Sequence, residues 1–80
     1  MIRLTLYSKP NCPLCDEALD MLEDLKRDFA LSVTEVNIQK DAAVYEMYKY
    51  MIPVIVLENG LIINARFTEA QLRKAFQEVF

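Results

Sequence analysis

Leu4-Thr5-Leu6-Tyr7-Ser8-Lys9-Pro10-Asn11-Cys12-Pro13-Leu14-Cys15-Asp16-Glu17-Ala18 is the stretch that decides the fold. Upstream of the cysteines, Ile2, Leu4 and Leu6 alternate with Arg3, Thr5 and Tyr7. That period of two predicts a strand with one buried face. Residues 8–11 are polar and contain Pro10, which predicts a loop. From Pro13 the period changes. Cys15, Ala18, Leu19, Leu22, Leu25 and Phe29 recur at helical spacing, while Asp16, Glu17, Asp20, Glu23, Asp24 and Lys26 fill the other face. The pattern is an amphipathic helix with proline at its first position, where the missing N–H costs nothing because that group has no intrahelical partner. The two cysteines therefore stand where a strand and loop become a helix.

Working outward, residues 33–38 are β-branched enough for a second strand, although Val33 and Val36 are out of phase and leave its register open. Asp41 can cap a second helix that carries Val44, Met47, Tyr48 and Met51 on one side. Residues 54–57 are continuously apolar, as in a strand buried on both faces. Asn59-Gly60 then separates residues 54–58 from residues 61–65, predicting a hairpin with positive φ at both turn positions. Thr68 followed by Gln71 predicts a capping box for a last helix that buries Leu72, Ala75, Phe76 and Val79. The order β-α-β-α-β-β-α describes one α/β domain over residues 1–80. Its first two strands should be parallel through a right-handed crossover, and its hairpin antiparallel. The result is a mixed four-stranded sheet flanked by helices.

Composition removes most chemistries. Among 80 residues there is no histidine, so one chain holds no Ser-His-Asp triad, Cys-His pair or histidine-ligated metal site. Gly60 is the sole glycine, which excludes a phosphate-binding loop and a dinucleotide fingerprint. Nine basic against twelve acidic residues give a net charge of −3. Nucleic acid as a partner is therefore not expected, because its binding needs a concentrated basic footprint. The N-terminal residues lack a signal-peptide pattern. The longest apolar run, residues 50–57, contains Pro53 and falls short of the roughly 20 residues that span a bilayer. These features predict a cytoplasmic monomer with no membrane partner.

In a reducing compartment a Cys pair is more often catalytic or metal-binding than structural. Near the N-cap, the Cys12 sulfur faces unpaired N–H groups and the positive end of the helix dipole, which favour a thiolate. Lys9 adds positive charge to the same loop, and Asp16 and Glu17 oppose it. The Cys12 thiol should then titrate at roughly 6–7.5, within the range for such motifs. Cys15, one turn deeper, is the natural resolving thiol. Other readings stand beside this one. A structural disulfide would close too short a loop to stabilise much. A zinc or iron–sulfur site would need two chains to supply four ligands. The pair could also be two core cysteines in a non-catalytic interaction module. A Cys-x-x-Cys that opens the first helix of a βαβ unit nonetheless favours redox exchange, which needs no prosthetic group beyond the cysteines.

At the quoted residues, and again at Ile52-Pro53-Val54, the chain resembles the glutaredoxin-like branch of the thioredoxin superfamily. The resemblance implies a thioredoxin fold and a disulfide oxidoreductase in which Cys12 attacks and Cys15 resolves. It also implies that Lys9 is the thiolate-stabilising lysine, that Pro53 is a cis-proline, and that Ile52 pairs its backbone with substrate. Disulfide-bearing proteins or small thiols become the expected substrates, with a thioredoxin-type or glutathione electron donor. Glutathione-using members carry an aromatic residue between the cysteines, and here that position is Leu14. They also carry a Gly-Gly and an acidic pair after the hairpin, where this chain has Leu61 after Gly60 and then Asn64-Ala65-Arg66. A thioredoxin-type donor, docking on apolar surface around Met51, Ile52 and Pro53, is the expectation that follows.

Overall fold

The computed structural model describes residues 1–79; Phe80, the last residue of the expected domain, lies outside them. The elements follow the anticipated order: β1 Ile2–Ser8, α1 Pro13–Leu25, β2 Leu31–Asn37, α2 Ala42–Tyr48, β3 Val54–Leu57, β4 Ile62–Asn64 and α3 Glu69–Val79, with a short 3-10 helix at Ile38–Lys40. The strands form one mixed sheet in the order β2-β1-β3-β4. β1 runs parallel to β2, from Ile2 opposite Leu31 to Ser8 opposite Asn37. Its other edge is antiparallel to β3, with Leu4 opposite Leu57 and Tyr7 opposite Val54. β4 completes the hairpin antiparallel to β3.

The alternation in β1 sorts the two faces. Ile2, Leu4 and Leu6, joined by Ile55 and Leu57 of β3, form the face packed by Ala18, Leu22 and Leu25 of α1 and by Leu72, Ala75 and Phe76 of α3. Burial of the larger of these side chains contributes about 1.5–3 kcal/mol each, so this two-helix layer carries most of the core. The opposite face is covered differently from expectation. α2 buries none of its side chains, and Met47, expected on its packing side, is 60% exposed. Its main hold on the sheet is Tyr48, whose ring lies 4.7 Å from that of Tyr7.

Several boundaries differ from the sequence reading. Ser8 ends β1 instead of starting the loop, because it is buried and its hydroxyl donates to the Glu35 carboxylate at 3.3 Å. α1 stops at Leu25, so Phe29 lies beyond it and meets the ring of Phe76 edge-on at 5.6 Å. β2 begins two residues earlier than expected and ends before Ile38, which is fully buried in the 3-10 helix. In β2 the parallel register places Val33 beside Leu4 and Val36 beside Tyr7, so the two valines serve opposite faces. The hairpin turn has positive φ at Gly60 alone. Gly60 N–H donates to Leu57 O at 2.9 Å, Leu57 N–H to Leu61 O at 2.9 Å, and the Asn59 side chain accepts from Leu61 N–H at 3.0 Å. The loop is therefore three residues long, with glycine where the left-handed conformation falls. Val79, expected in the core, is half-buried.

The capping box at α3 forms as expected: Thr68 N–H donates to Gln71 Oε1 at 2.8 Å, and Gln71 N–H donates to Thr68 Oγ1 at 3.2 Å. Thr68→Ala should lower stability by about 1 kcal/mol, the usual cost of losing a helix cap. Leu22→Ala, which opens the main core, should cost about 2–5 kcal/mol. Urea unfolding of the two variants checks both; equal shifts in midpoint at unchanged slope would contradict the packing described.

Candidate active site

The loop after β1 delivers Cys12 to the helix in two steps. Asn11 adopts φ 58°, the left-handed region that asparagine tolerates better than other side chains. Cys12 follows in an extended conformation (φ −119°, ψ 101°) and is the N-cap of α1. Its sulfur accepts a hydrogen bond from Cys15 N–H at 3.2 Å, and its carbonyl accepts from Asp16 N–H at 3.1 Å. Sulfur thus takes the place that a hydroxyl or carboxylate oxygen usually holds at a helix N-terminus. Pro13 occupies the first helical turn, as its missing N–H permits.

Cys12 and Cys15 are joined in a disulfide, with Cα atoms 5.2 Å apart. The first cysteine is 9% exposed and the second 2%. An approaching reagent therefore reaches Cys12 first, and Cys15 lies behind it against the core. Lys9 is exposed and makes no ion pair among the described residues.

Pro53 is buried, and the Ile52–Pro53 peptide bond is cis. Leu14 and Pro53 line one cleft of about 190 Å³, so the structure brings the residue between the cysteines to the proline loop. Met51 and Ile52 are half-buried where the chain leaves α2. Ile52 N–H donates to Tyr48 O at 3.1 Å, so of its two main-chain groups only the carbonyl can pair with an incoming strand. The Met51 carbonyl accepts from Ala65 N–H at 3.4 Å, which ties the proline loop to the segment after β4. Near this loop, the Lys49 ammonium hydrogen-bonds the Glu46 carboxylate at 2.9 Å, and that bond raises its pKa above the ordinary lysine value.

Three features of the site escaped sequence reasoning. Ala65, Arg66 and Phe67 line the same cleft, although in the sequence Ala65 and Arg66 read only as part of a missing Gly-Gly and acidic pair and Phe67 is not singled out. The clue was Phe67, an apolar residue with no place in the strand or helix pattern. The Asn11 turn was signalled by asparagine directly before the helix cap. The Tyr7–Tyr48 stack had no local signal, because it joins residues 41 positions apart.

A parallel βαβ unit with a cysteine pair at the first helix N-terminus and a cis-proline beside it places the molecule in the thioredoxin-like fold class. The chain belongs to the glutaredoxin-like domain family (DUF836), whose family model matches residues 3–77. Solved structures agree. Protein XcR50 from X. campestris is 31% identical, with a TM-score of 0.84 over 94% of this chain and 96% of that one. Protein Ne2328 from Nitrosomonas europaea is 20% identical, with a TM-score of 0.79 over 94% and 89%. A mutant thioredoxin from Halobacterium salinarum is 16% identical, with a TM-score of 0.76 over 96% and 73%. The latter two likenesses concern the fold alone.

After reduction, Cys12 should be alkylated at least about tenfold faster than Cys15 near neutral pH, because it alone combines access with the helix terminus. Its rate should rise with pH and then level off as the thiolate fraction saturates. Mass spectrometry of a time course with a limiting haloacetamide reads both; equal rates, or faster labelling of Cys15, would reverse the assignment of roles.

Proposed function

We propose that this chain is a thiol–disulfide oxidoreductase in which Cys12 attacks and Cys15 resolves. The observation that carries the reading is the position of Cys12 as the N-cap of α1, with its sulfur receiving a helix N–H while Cys15 lies buried one turn on. In the reduced protein the Cys12 thiolate attacks one sulfur of a substrate disulfide. A Cys12–substrate S–S bond forms, and the other substrate sulfur leaves as a thiolate that takes up a proton. Cys15 then loses its proton and attacks the Cys12 sulfur, releasing the second substrate thiol and closing the Cys12–Cys15 disulfide. Two electrons pass from the cysteine pair to the substrate, and an external thiol or dithiol returns them.

The electrons reside in the cysteine pair, so the cycle uses no prosthetic group. The proposed setting is the cytoplasm, where such a reductant has a supply of electrons, and the proposed working form is a monomer. Among the described residues no helix is long and apolar enough to cross a membrane. Lys9 supplies positive charge to the loop that presents Cys12. Leu14, Met51, Ile52 and Pro53 form the apolar surround on which substrate rests, and disulfides of proteins or small molecules are its substrate class. The preferred donor is of the thioredoxin type, because the loop after β4 offers Ala65 and Arg66 where a glutathione grip needs glycines and acids. Losing two or three charge-assisted hydrogen bonds of about 1.5–3 kcal/mol each weakens a tripeptide at least about a hundredfold.

Cys15→Ser should trap a covalent Cys12–substrate mixed disulfide, visible as a mass adduct lost on adding dithiothreitol, and Cys12→Ser should form none. Absence of the adduct with every disulfide tried would refute the role of Cys12. In paired turnover assays, a thioredoxin system should outpace glutathione with its reductase, and the potential of the pair should lie nearer about −270 mV than about −200 mV. Faster turnover with glutathione would overturn the choice of donor.

A further inference from the structure

The cleft beside the disulfide has a shape and a charge pattern. Leu14, Ala18 and Met21 line one side of it, and Pro53 and Phe67 line the other. The three α1 residues follow one another at four- and three-residue steps on one helix face, so the strip they make is about 10 Å long. It starts between the two cysteines and runs away from them along the helix. A strip of this length outreaches a single amino acid; it fits a polypeptide segment whose cysteine lies at the disulfide and whose neighbouring apolar side chain lies in the cleft.

Two charged residues line the same cleft, Arg66 from the loop after β4 and Glu17 from α1. Both are exposed, and neither forms an ion pair among the described residues. A guanidinium offers a planar fork that matches a carboxylate with two parallel hydrogen bonds. Beside an apolar wall, such a pair is less screened than on open surface. Glu17 lines the same cleft, so a substrate carboxylate gains only where it lies nearer Arg66 than Glu17.

We propose that Arg66 is a specificity-determining residue that selects polypeptide disulfides carrying an apolar residue and then a carboxylate next to the reactive cysteine. This deepens the redox reading above and rests on it for the chemistry at Cys12. The apolar side chain fills the space between Leu14, Met21 and Phe67, and the acidic side chain that follows reaches Arg66.

The test uses cysteine peptides linked through a disulfide to a chromogenic aromatic thiol, in both chain directions, with Glu, Gln or Lys two residues from the cysteine and Leu between. For the full chain, kcat/KM in the favoured direction should fall from Glu to Gln to Lys by about two- to fivefold per step, the scale of a partly exposed ion pair. Arg66→Glu should invert the order, and Arg66→Lys should keep the order with a smaller spread. Binding of the same peptides with the cysteine alkylated, followed by fluorescence anisotropy on the oxidised protein, reads the cleft without any chemistry. The same order in anisotropy without turnover would uphold the cleft and remove the redox reading. Turnover with identical order in wild type and Arg66→Glu would keep the redox reading and overturn the role of Arg66. Oxidised glutathione is the further arm, and turnover faster than that of the best acidic peptide would overturn the commitment to a polypeptide.

Discussion

Strand β1 is paired on both edges, parallel to β2 and antiparallel to β3, and that double ladder decides where every functional residue lies. A parallel neighbour cannot be reached by a tight turn, so the chain must cross over, and α1 is that crossover. A right-handed crossover starts at the carboxyl end of β1, which puts the helix N-terminus, with Cys12 as its cap, just beyond Ser8. The antiparallel neighbour does the complementary work. Because Tyr7 faces Val54, Pro53 must arrive at the same end of the sheet as Ser8. Cysteine and proline come from distant parts of the sequence and meet because one strand holds both registers. Ligand sites of open α/β sheets collect at the carboxyl ends of parallel strands for the same reason.

Electrostatics at this sheet end is a contest with close opponents. In the proposed mechanism the helix terminus, its N–H donors and Lys9 favour a negative sulfur at Cys12, whereas Asp16 and Glu17 stand one turn inside the helix and disfavour it. The dipole effect of a helix is confined to its first turn and is worth about 0.3–1 kcal/mol at an exposed site. A hydrogen bond to a charged acceptor is worth about 1.5–3 kcal/mol. The Cys15 N–H seen here on the Cys12 disulfide sulfur would, once that sulfur is reduced to a thiolate, supply the larger of the two effects. The molecule can carry a net charge of −3 and still present a favourable place for one thiolate.

The sequence disclosed the parts governed by short-range chemistry. Period-two alternation in residues 2–7, proline at the start of α1, the Thr68–Gln71 box and the sole glycine in the hairpin each act within a few residues, and each is readable there. The Cys12–Cys15 pair is readable for the same reason, as a spacing at a helix start. What stays hidden depends on residues far apart. The reach of β1 to Ser8 rests on Glu35 across the sheet, the packing of Phe29 rests on Phe76, and the cleft wall at Arg66 and Phe67 exists only once the loop after β4 lies beside α1. The hairpin itself shows the limit within a local motif: Asn59-Gly60 marks a turn, but the register of β3 on β4 selects the three-residue form with one positive φ.

The two sides of the proline loop are unequally supported, and this bears on how substrate is met. Val54 is fully buried and laddered to Tyr7, so the chain after Pro53 is as firm as the core. The chain before it comes from α2, a helix of seven residues that buries no side chain. α2 is held by the Asp41 cap, whose carboxylate accepts from Ala43 and Val44 N–H, and by the Tyr48 ring on Tyr7. Elements with few buried contacts open at a smaller free-energy cost than the core that carries them. Ile52 N–H is bonded to Tyr48 O within this weakly packed region, so a partial loosening of the helix end would release a second main-chain group for the proposed pairing of Ile52 with substrate. The cysteine side of the site is rigid because α1 is pinned by Ala18, Leu22 and Leu25, and the partner-facing side can adjust because α2 is not. For the proposed oxidoreductase, a rigid nucleophile beside an adaptable loop is an arrangement through which one disulfide would serve substrates of different shape.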